Sequence, residues 1–365
     1  MAYTQSVFPI GPTGHVMRIL LVSPGNNRKY GGGFYYAFHR KLMNGFIRNG
    51  HFVYQYSDRD TADYAMGLRQ LGARLANKRL IEIAAELKPS LLVLLQSHMV
   101  TPQTVRIIRK VAPGVRTAAI SIDDISDATP AGQFRHLLQE ADFGFATTGG
   151  RTLESFAQQR PMAFIPNPVD LSIDAQTAFD AKTHKYDLIF AGHQPMIDPR
   201  WAFIRDVADR LPTATRCGIF GRRQQRQLSG SAYVDALGAS KIGLNLNRRD
   251  GDLYASDRMA QLLGNGLLLA THRASDYDQV FSDDEMLFYT GVDDLAAGIE
   301  RVLGAGEPWR EMARAGRQKA IATMSETVVA RFMVDMIVGT SPPSDWAFTD
   351  HFFTAGLKAA EPAGE

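Results

Sequence analysis

Short apolar runs alternate with longer stretches of helical periodicity along most of this chain. MRILLVS (17–23), HFVYQYS (51–57), SLLVLLQS (90–97), TAAISID (117–123), FGFATT (143–148) and PMAFIPN (161–167) each have the length and apolar density of a strand. The segments between them carry helical rhythm. FYYAFHRKLMNGFIRNG ends on Gly50, a long helical stretch within 61–88 stops at Pro89, and TPQTVRIIRKVA has proline near its first turn. RHLLQEA and a segment around 150–158 follow. A polar stretch with two prolines, PNPVDLSIDAQTAFDAKTHK, interrupts the alternation, which then resumes. YDLIFAG (186–192), TRCGIFG (215–221), KIGLNLN (241–247), GLLLAT (266–271) and MLFYT (286–290) read as strands. PRWAFIRDVADRL, YVDALGAS, SDRMAQLLGN and LAAGIERVL read as helices, with two more near 308–322 and 326–338. The last of these puts Val328, Val329, Phe332, Met336 and Ile337 on one stripe.

Strand–helix alternation on this scale predicts an α/β protein with two doubly wound, Rossmann-like domains. The expected division is an extension at 1–16, a first domain at 17–165, a linker at 166–185 and a second domain at 186–325. A closing helix at 326–340 and a tail at 341–365 complete it. Ligands of open α/β sheets lie beyond the carboxyl ends of the strands. Two such domains facing each other would enclose a central cleft.

Composition narrows the function classes. The chain has 365 residues, 45% hydrophobic and 21% charged, which is ordinary for a globular protein of two domains. A net charge of +2 gives no electrostatic case for a nucleic-acid partner. Cys217 is the one cysteine, so no internal disulfide forms and a zinc site has no second thiolate. The first residues lack the basic start and apolar core of a signal peptide, and no apolar run approaches a membrane span. The expected setting is cytoplasmic, with at most peripheral contact at the inner face of the membrane. The aromatic and basic segment 34–48 could make that contact, or could be a core helix with a solvated face.

Candidate chemistry gathers where predicted strands end. Gly31, Gly32 and Gly33 follow the first strand, where bare backbone could approach a phosphate, although neither the G-x-G-x-x-G nor the P-loop spacing is present. Asp123 and Asp124 end the fourth strand, as base, nucleophile or metal ligand, or as a cap and a solvated neighbour. Gly192 and His193 follow the first strand of the second domain. Gly221 and Arg222 open FGRRQQR, whose three arginines suit a diphosphate or a carboxylate, or a solvated loop. Asn245 and Asn247 stand two apart, on one face of a strand end, to bond a ligand or close a turn. Ser256, Asp257, Arg258 and Gln261 put polar groups at the head of an otherwise apolar helix. Either Ser256 or Asp257 caps the helix, or the head of the helix holds an anion.

The second half resembles the donor domain of the GT-B glycosyltransferases, in particular the CgeB-like branch, a spore-maturation-type, glycosyltransferase group 1-like set. FIPNPVD (164–170), YDLIFAG, YVDALGASKIGLNLN (233–247) and SDRMAQLLGNGLLLAT carry the resemblance, with FSDDEMLFYTGVDDLAAGIERVL downstream. It extends over about 160–340 and is weaker over 17–150. The resemblance implies a nucleotide-sugar co-substrate (a UDP-, GDP- or CMP-sugar), no obligatory metal and no permanently bound cofactor. It implies a glycan, glycolipid or protein acceptor held mainly by the first domain. It also implies that Arg258 meets the donor phosphate and that Gln261 stands where related enzymes place a glutamate on the donor ribose. Glutamine is a departure, since an amide offers one acceptor where a carboxylate offers two with charge. A CMP-linked keto-sugar acid such as Kdo would suit the arginines and would make Asp123 or Asp124 a candidate covalent nucleophile. A nucleotide-sugar epimerase and a non-catalytic nucleotide-sugar-binding protein remain as alternatives.

Overall fold

The computed structural model describes residues 16–25, 27, 31–66, 69–158, 160–192, 199–221, 227–339 and 343–354. The chain forms two compact units. One comprises Pro12–Gly25, His51–Ile165 and Phe332–Glu365, and the other Asn26–Gly50 with Pro166–Arg331, the limits including residues outside those described. In chain order the helices are α1 (Phe38–Arg48), α2 (Asp58–Met66), α3 (Arg69–Leu87), α4 (Pro102–Val111), α5 (Ala128–Leu138) and α6 (Gly150–Glu154). They continue with α7 (Pro199–Arg210), α8 (Gly230–Gly238), α9 (Arg258–Gly264), α10 (Val292–Leu303), α11 (Trp309–Met324) and α12 (Glu326–Val338).

The first unit is built on a seven-stranded sheet. Its strands are β1 (Arg18–Val22), β2 (Phe52–Tyr56), β3 (Leu91–Leu95), β4 (Arg116–Ser121), β5 (Phe143–Ala146) and β6 (Met162–Phe164), with β12 (Phe352–Phe353) from the tail. The order is β12-β6-β5-β4-β3-β1-β2, and every pairing but β12–β6 is parallel. Parallel strands must be covered on both faces, so the inner strand β3 is the uninterrupted apolar run LLVLL, all five residues buried. The helix after it begins cleanly because Thr101 accepts from the Thr104 amide and Pro102 gives up no needed donor. Beyond α12 the tail is anchored by aromatics. Trp346 stacks on Phe332 with ring centroids 3.8 Å apart, and Phe348 meets Phe164 at 5.0 Å. The added strand β12 falls in a stretch whose proline pair and polar end give no strand signal.

The second unit is built on β7 (Tyr186–Ala191), β8 (Cys217–Phe220), β9 (Ser240–Asn245), β10 (Leu268–His272) and β11 (Leu287–Tyr289). They run in the order β11-β10-β9-β7-β8, all parallel. Leu188, Phe190, Ile242, Leu244, Leu268 and Trp309 lie in its core.

The strand–helix alternation assigns α1 to the first domain, whereas its contacts group it with the second unit. The reason is a set of ion pairs whose carboxylates and Lys41 are buried, with Arg48 partly exposed. Lys41, 2% exposed, donates to Asp174 Oδ2 at 2.6 Å. Arg48 donates to Asp170 at 2.8 Å and to Glu326 at 2.5 Å. Gly45 has no room for a side chain, since a Cβ would lie 2.0 Å from the Glu326 carbonyl oxygen. The stretch 166–185, expected as a linker, supplies Asp170 and Asp174 to this set and is packed into the same unit. Val169 bridges to Ser325, and Ala178 and Phe179 bond the carbonyls of Asn265 and Gly266. Among the described residues no helix is long and apolar enough to cross a membrane.

Candidate functional site

In the five-stranded unit the chain leaves β7 for β8 on one side and then returns to β9 on the other. The carboxyl ends of β7 and β9 therefore flank the switch point, where an open α/β sheet leaves a crevice for ligand. A cavity of about 160 Å³ opens there. Complete small-molecule sites run to roughly 300–1,000 Å³, so this one is sized for part of a ligand.

Two glycines shape its floor. Gly221, at φ +99°, follows β8 and packs against the end of β7 so closely that a Cβ would lie 1.5 Å from the Gly192 carbonyl oxygen. A Cβ on Gly192 would lie 2.9 Å from Arg258 Nη2 and 3.0 Å from the Phe190 ring. The bare backbone of Gly192 lets the guanidinium of Arg258 come down onto the end of β7, and that of Gly221 lets the ends of β7 and β8 close on each other.

Arg258 opens α9 and is held from below. Its Nε donates to the Ala191 carbonyl oxygen at 2.8 Å, and its guanidinium lies 5.0 Å from the centroid of the Phe190 ring. Its Nη1 is shielded from solvent and has no hydrogen-bond partner among the described residues. No described carboxylate forms an ion pair with it. Burial pushes its pKa below the usual arginine value, and the group stays protonated because that value starts so high. Asp257 beside it supplies a neighbouring negative charge but no direct ion pair, and a shielded cation left so is costly, a cost that an anion in the cavity reduces. The seven-residue α9 is too short for its dipole to be the main attraction, so anion affinity here belongs to the side chain.

Gln261 lines the same cavity, 3% exposed. The Tyr233 hydroxyl donates to its Oε1 at 2.8 Å, and its Nε2 donates to Asp257 Oδ2 at 3.0 Å. Asp257 itself is exposed. It makes no side-chain cap of α9, and the Ser256 hydroxyl reaches back to Asn245 Oδ1 at 3.4 Å, so the capping expected of this pair is not made. Asn247 accepts from the Ser256 amide and donates to the Tyr254 carbonyl. Asn245 donates to Thr271 Oγ1. The two asparagines thus fix the segment leading into α9 and are absent from the cavity lining.

The opposite wall is aromatic. Gly33 accepts from the Gly230 amide at 2.8 Å. Just beyond it Phe34 and Tyr36 enter the lining, with Tyr36 5.0 Å from Tyr233. Burial raises the pKa of both tyrosines, which keeps them neutral. Gly31 and Gly32 are exposed, and a Cβ on either would meet nothing within 4 Å. Sequence reasoning singled out the glycines for a ligand and read the aromatic run behind them as a membrane contact or a core helix; Phe-Tyr-Tyr directly after a glycine triplet was the available signal for the lining. His193 and Arg222 lie outside the described residues.

Asp123 and Asp124 belong to the seven-stranded unit, at the carboxyl end of β4. They differ sharply. Asp124 is buried and accepts from the amide and hydroxyl of Ser126, a turn closure. Asp123 is exposed and accepts from Gln96 Nε2 at 2.5 Å. Gln96 follows β3 with φ +46°, a strained conformation for a residue with a side chain. His98, two residues on, is held down to a pKa of about 4 by burial and by Arg59 and His136.

A glycosyl transferase-like family model matches residues 200–335, most of the five-stranded unit. No curated protein matches the chain in sequence. Solved structures match its fold over most of its length. An alpha-glucosyltransferase in complex with UDP-glucose and DNA containing an abasic site aligns at TM-score 0.59 and 12% identity, over 89% of this chain and 100% of that one. HepE of Anabaena, in complex with UDP and glucose, aligns at 0.58 and 10%, over 88% and 99%. Sucrose-phosphate synthase of Thermosynechococcus elongatus aligns at 0.54 and 12%, over 88% and 98%. The fold is GT-B. In this GT-B chain the family match includes Gly221 after β8, Asn245 at the end of β9 and Arg258 at the head of α9.

Proposed function

We propose that this protein is a glycosyltransferase that takes a sugar from a nucleotide-sugar donor and passes it to a polysaccharide or glycoconjugate acceptor. The observation that carries this reading is Arg258, a guanidinium whose shielded Nη1 has no hydrogen-bond partner among the described residues and which pairs directly with no described carboxylate, at the switch point of the five-stranded unit. The glycosyl transferase-like match over that unit and the GT-B fold support it. In this reading the acceptor hydroxyl attacks the anomeric carbon and the bond from that carbon to the donor phosphate breaks. Arg258 meets the negative charge that grows on the departing phosphate, so it contributes most in the transition state. Asp123 is the better of the two carboxylates to take the acceptor proton, since Asp124 is committed to its own turn.

A UDP-sugar is the leading donor, supported by the UDP and UDP-glucose bound in structures of like fold. A CMP-linked keto-sugar acid, with Asp123 as a covalent nucleophile, is the contrasting donor class. Thermal unfolding with UDP, GDP, ADP, TDP and CMP tests this, repeated in Arg258→Ala. One nucleoside diphosphate is expected to raise the melting temperature, and the substitution to abolish the shift. A shift with CMP alone moves the donor to the keto-sugar acids. Binding without turnover of any UDP-, GDP- or CMP-sugar favours a non-catalytic binding protein, and absence of any shift overturns the reading.

A further inference from the structure

We propose that Asp257 is the residue that accepts a sugar hydroxyl in this pocket, selecting ligands that carry a hydroxylated sugar next to the phosphate bound by Arg258. The inference rests on the nucleotide-sugar reading above and assigns a specificity-determining residue within it.

The argument starts from a carboxylate without a structural duty. Asp257 is exposed on the cavity lining, makes no helix cap and forms no ion pair with a described residue. It is nevertheless held in place. Gln261 Nε2 donates to its Oδ2 at 3.0 Å, and the Tyr233 hydroxyl donates to the other end of the same amide at 2.8 Å. This relay has one orientation, because an ionised carboxylate only accepts and so requires the amide nitrogen on its side. Buried Tyr233 and Gln261 thus spend their hydrogen bonds on aiming an exposed carboxylate.

Gln261 is the weaker acceptor of the two, since Tyr233 already takes one of the two lone pairs of its uncharged oxygen. A glutamate could not stand in its place without facing Asp257 one turn away, a like-charge pair on a helix. Glutamine at 261 and aspartate at 257 are therefore a matched choice: the negative charge sits one turn earlier and the amide orients it. The cavity presents a shielded cation and an acceptor-only anion from adjacent residues. A bare phosphate satisfies the first and is repelled by the second. A phosphate joined to a sugar with free hydroxyls satisfies both.

The test is calorimetric titration of the full chain with UDP, 2′,3′-dideoxy-UDP and inorganic pyrophosphate, with GDP and CMP and their dideoxy forms run alongside. The wild type is expected to bind the ribonucleotide about ten- to a hundredfold more tightly than its dideoxy form, the size of a charged hydrogen bond. Asp257→Asn is expected to lose that discrimination while binding pyrophosphate as well as or better than wild type. Gln261→Glu is expected to weaken discrimination through repulsion, and Asp257→Asn combined with Gln261→Glu to recover part of it. An unchanged melting temperature for Asp257→Asn excludes misfolding. If wild type discriminates and Asp257→Asn does so equally, the proposal is wrong and the donor reading stands. Tighter binding of all three ligands by Asp257→Asn would likewise overturn it, as a carboxylate that merely opposes phosphate. If wild type binds none of the nucleotides, both fall together.

Discussion

The two units share a sheet plan and use it for different chemistry. In each, the strand that begins the unit sends the chain first to one neighbour and then to the other. The order is β2-β1-β3-β4-β5 in one and β8-β7-β9-β10-β11 in the other. At the β7/β9 switch point two glycines remove side chains from the strand ends and a guanidinium settles into the space. At the β1/β3 switch point the strand end is Gln96, a residue with a side chain in a glycine-like conformation, and its amide holds Asp123. Topology puts a switch point in each unit. What a ligand would meet there depends on whether the strand end carries a side chain and on which charge stands beside it.

The sharpest way to break this contrast is to reverse the side chains at the two strand ends. Gly221→Ala forces a methyl group onto the Gly192 carbonyl at a φ of +99°. A loss of about 3 kcal/mol or more in urea unfolding is expected, because both backbone strain and a main-chain collision are introduced. Gln96→Gly does the opposite. It relieves an unfavourable φ, for a gain of up to about 1 kcal/mol, while releasing Asp123, so stability rises as turnover falls. If Gly221→Ala is tolerated with stability unchanged, the close approach of the strand ends is not what builds the pocket.

A second contrast is in acid. His39 in the five-stranded unit and His98 in the other are both held to a pKa of about 4, each first by burial and then by neighbouring positive charge. A histidine kept neutral in the folded state is protonated more readily on unfolding. Its contribution is complete above the unfolded pKa near 6.5 and is lost as pH falls from there toward 4. For His39, 7% exposed, the loss at pH 5 is about 2 kcal/mol relative to pH 7. For the half-buried His98 it is smaller. Trp201 and Trp309 report on one unit and Trp346 on the other, so fluorescence of Trp346→Phe follows the five-stranded unit alone. In that background His39→Gln should flatten the loss between pH 7 and pH 5. A slope untouched by the substitution would mean that His39 is not the group responsible.

Much of this architecture was legible in the chain. Every strand from MRILLVS to MLFYT appears where its apolar run predicts; the inner strands are buried on both faces and cannot hide their composition, and the edge strand β2 is marked instead by its β-forming aromatics. The order of the strands was not, since parallel pairing leaves no local signature. β12 was missed because a two-residue edge strand has no period to detect. The placement of α1 was missed for a different reason. It depends on Lys41 meeting Asp174 across 133 positions of sequence, and charges this far apart in the chain give no pattern. At the candidate site, Arg258 and Gln261 were legible as polar residues on an apolar helix. Asp257 was read only as a cap, although its spacing of four from Gln261 was enough to suggest that the two side chains meet.

Capping also supplies the smallest prediction and separates two helix heads that look alike in sequence. TPQT before α4 and SDRM before α9 both put a short polar side chain at the entry to a helix. Thr101 uses its oxygen on the Thr104 amide at 3.2 Å, whereas the Asp257 carboxylate bonds no backbone amide of its helix, only the Gln261 side chain one turn on. Thr101→Ala should therefore cost about 1 kcal/mol, the usual value of a lost cap. Asp257→Ala should change unfolding by no more than about 0.5 kcal/mol, as for a surface position, while altering nucleotide binding. Urea unfolding of the two variants against wild type measures both. Equal losses would show that Asp257 stabilises the helix after all, and its place on the cavity lining would then be a consequence of folding. Unequal losses would mean that the polar head of α9 is kept for what binds beside it, at a position where the fold alone makes no demand for charge.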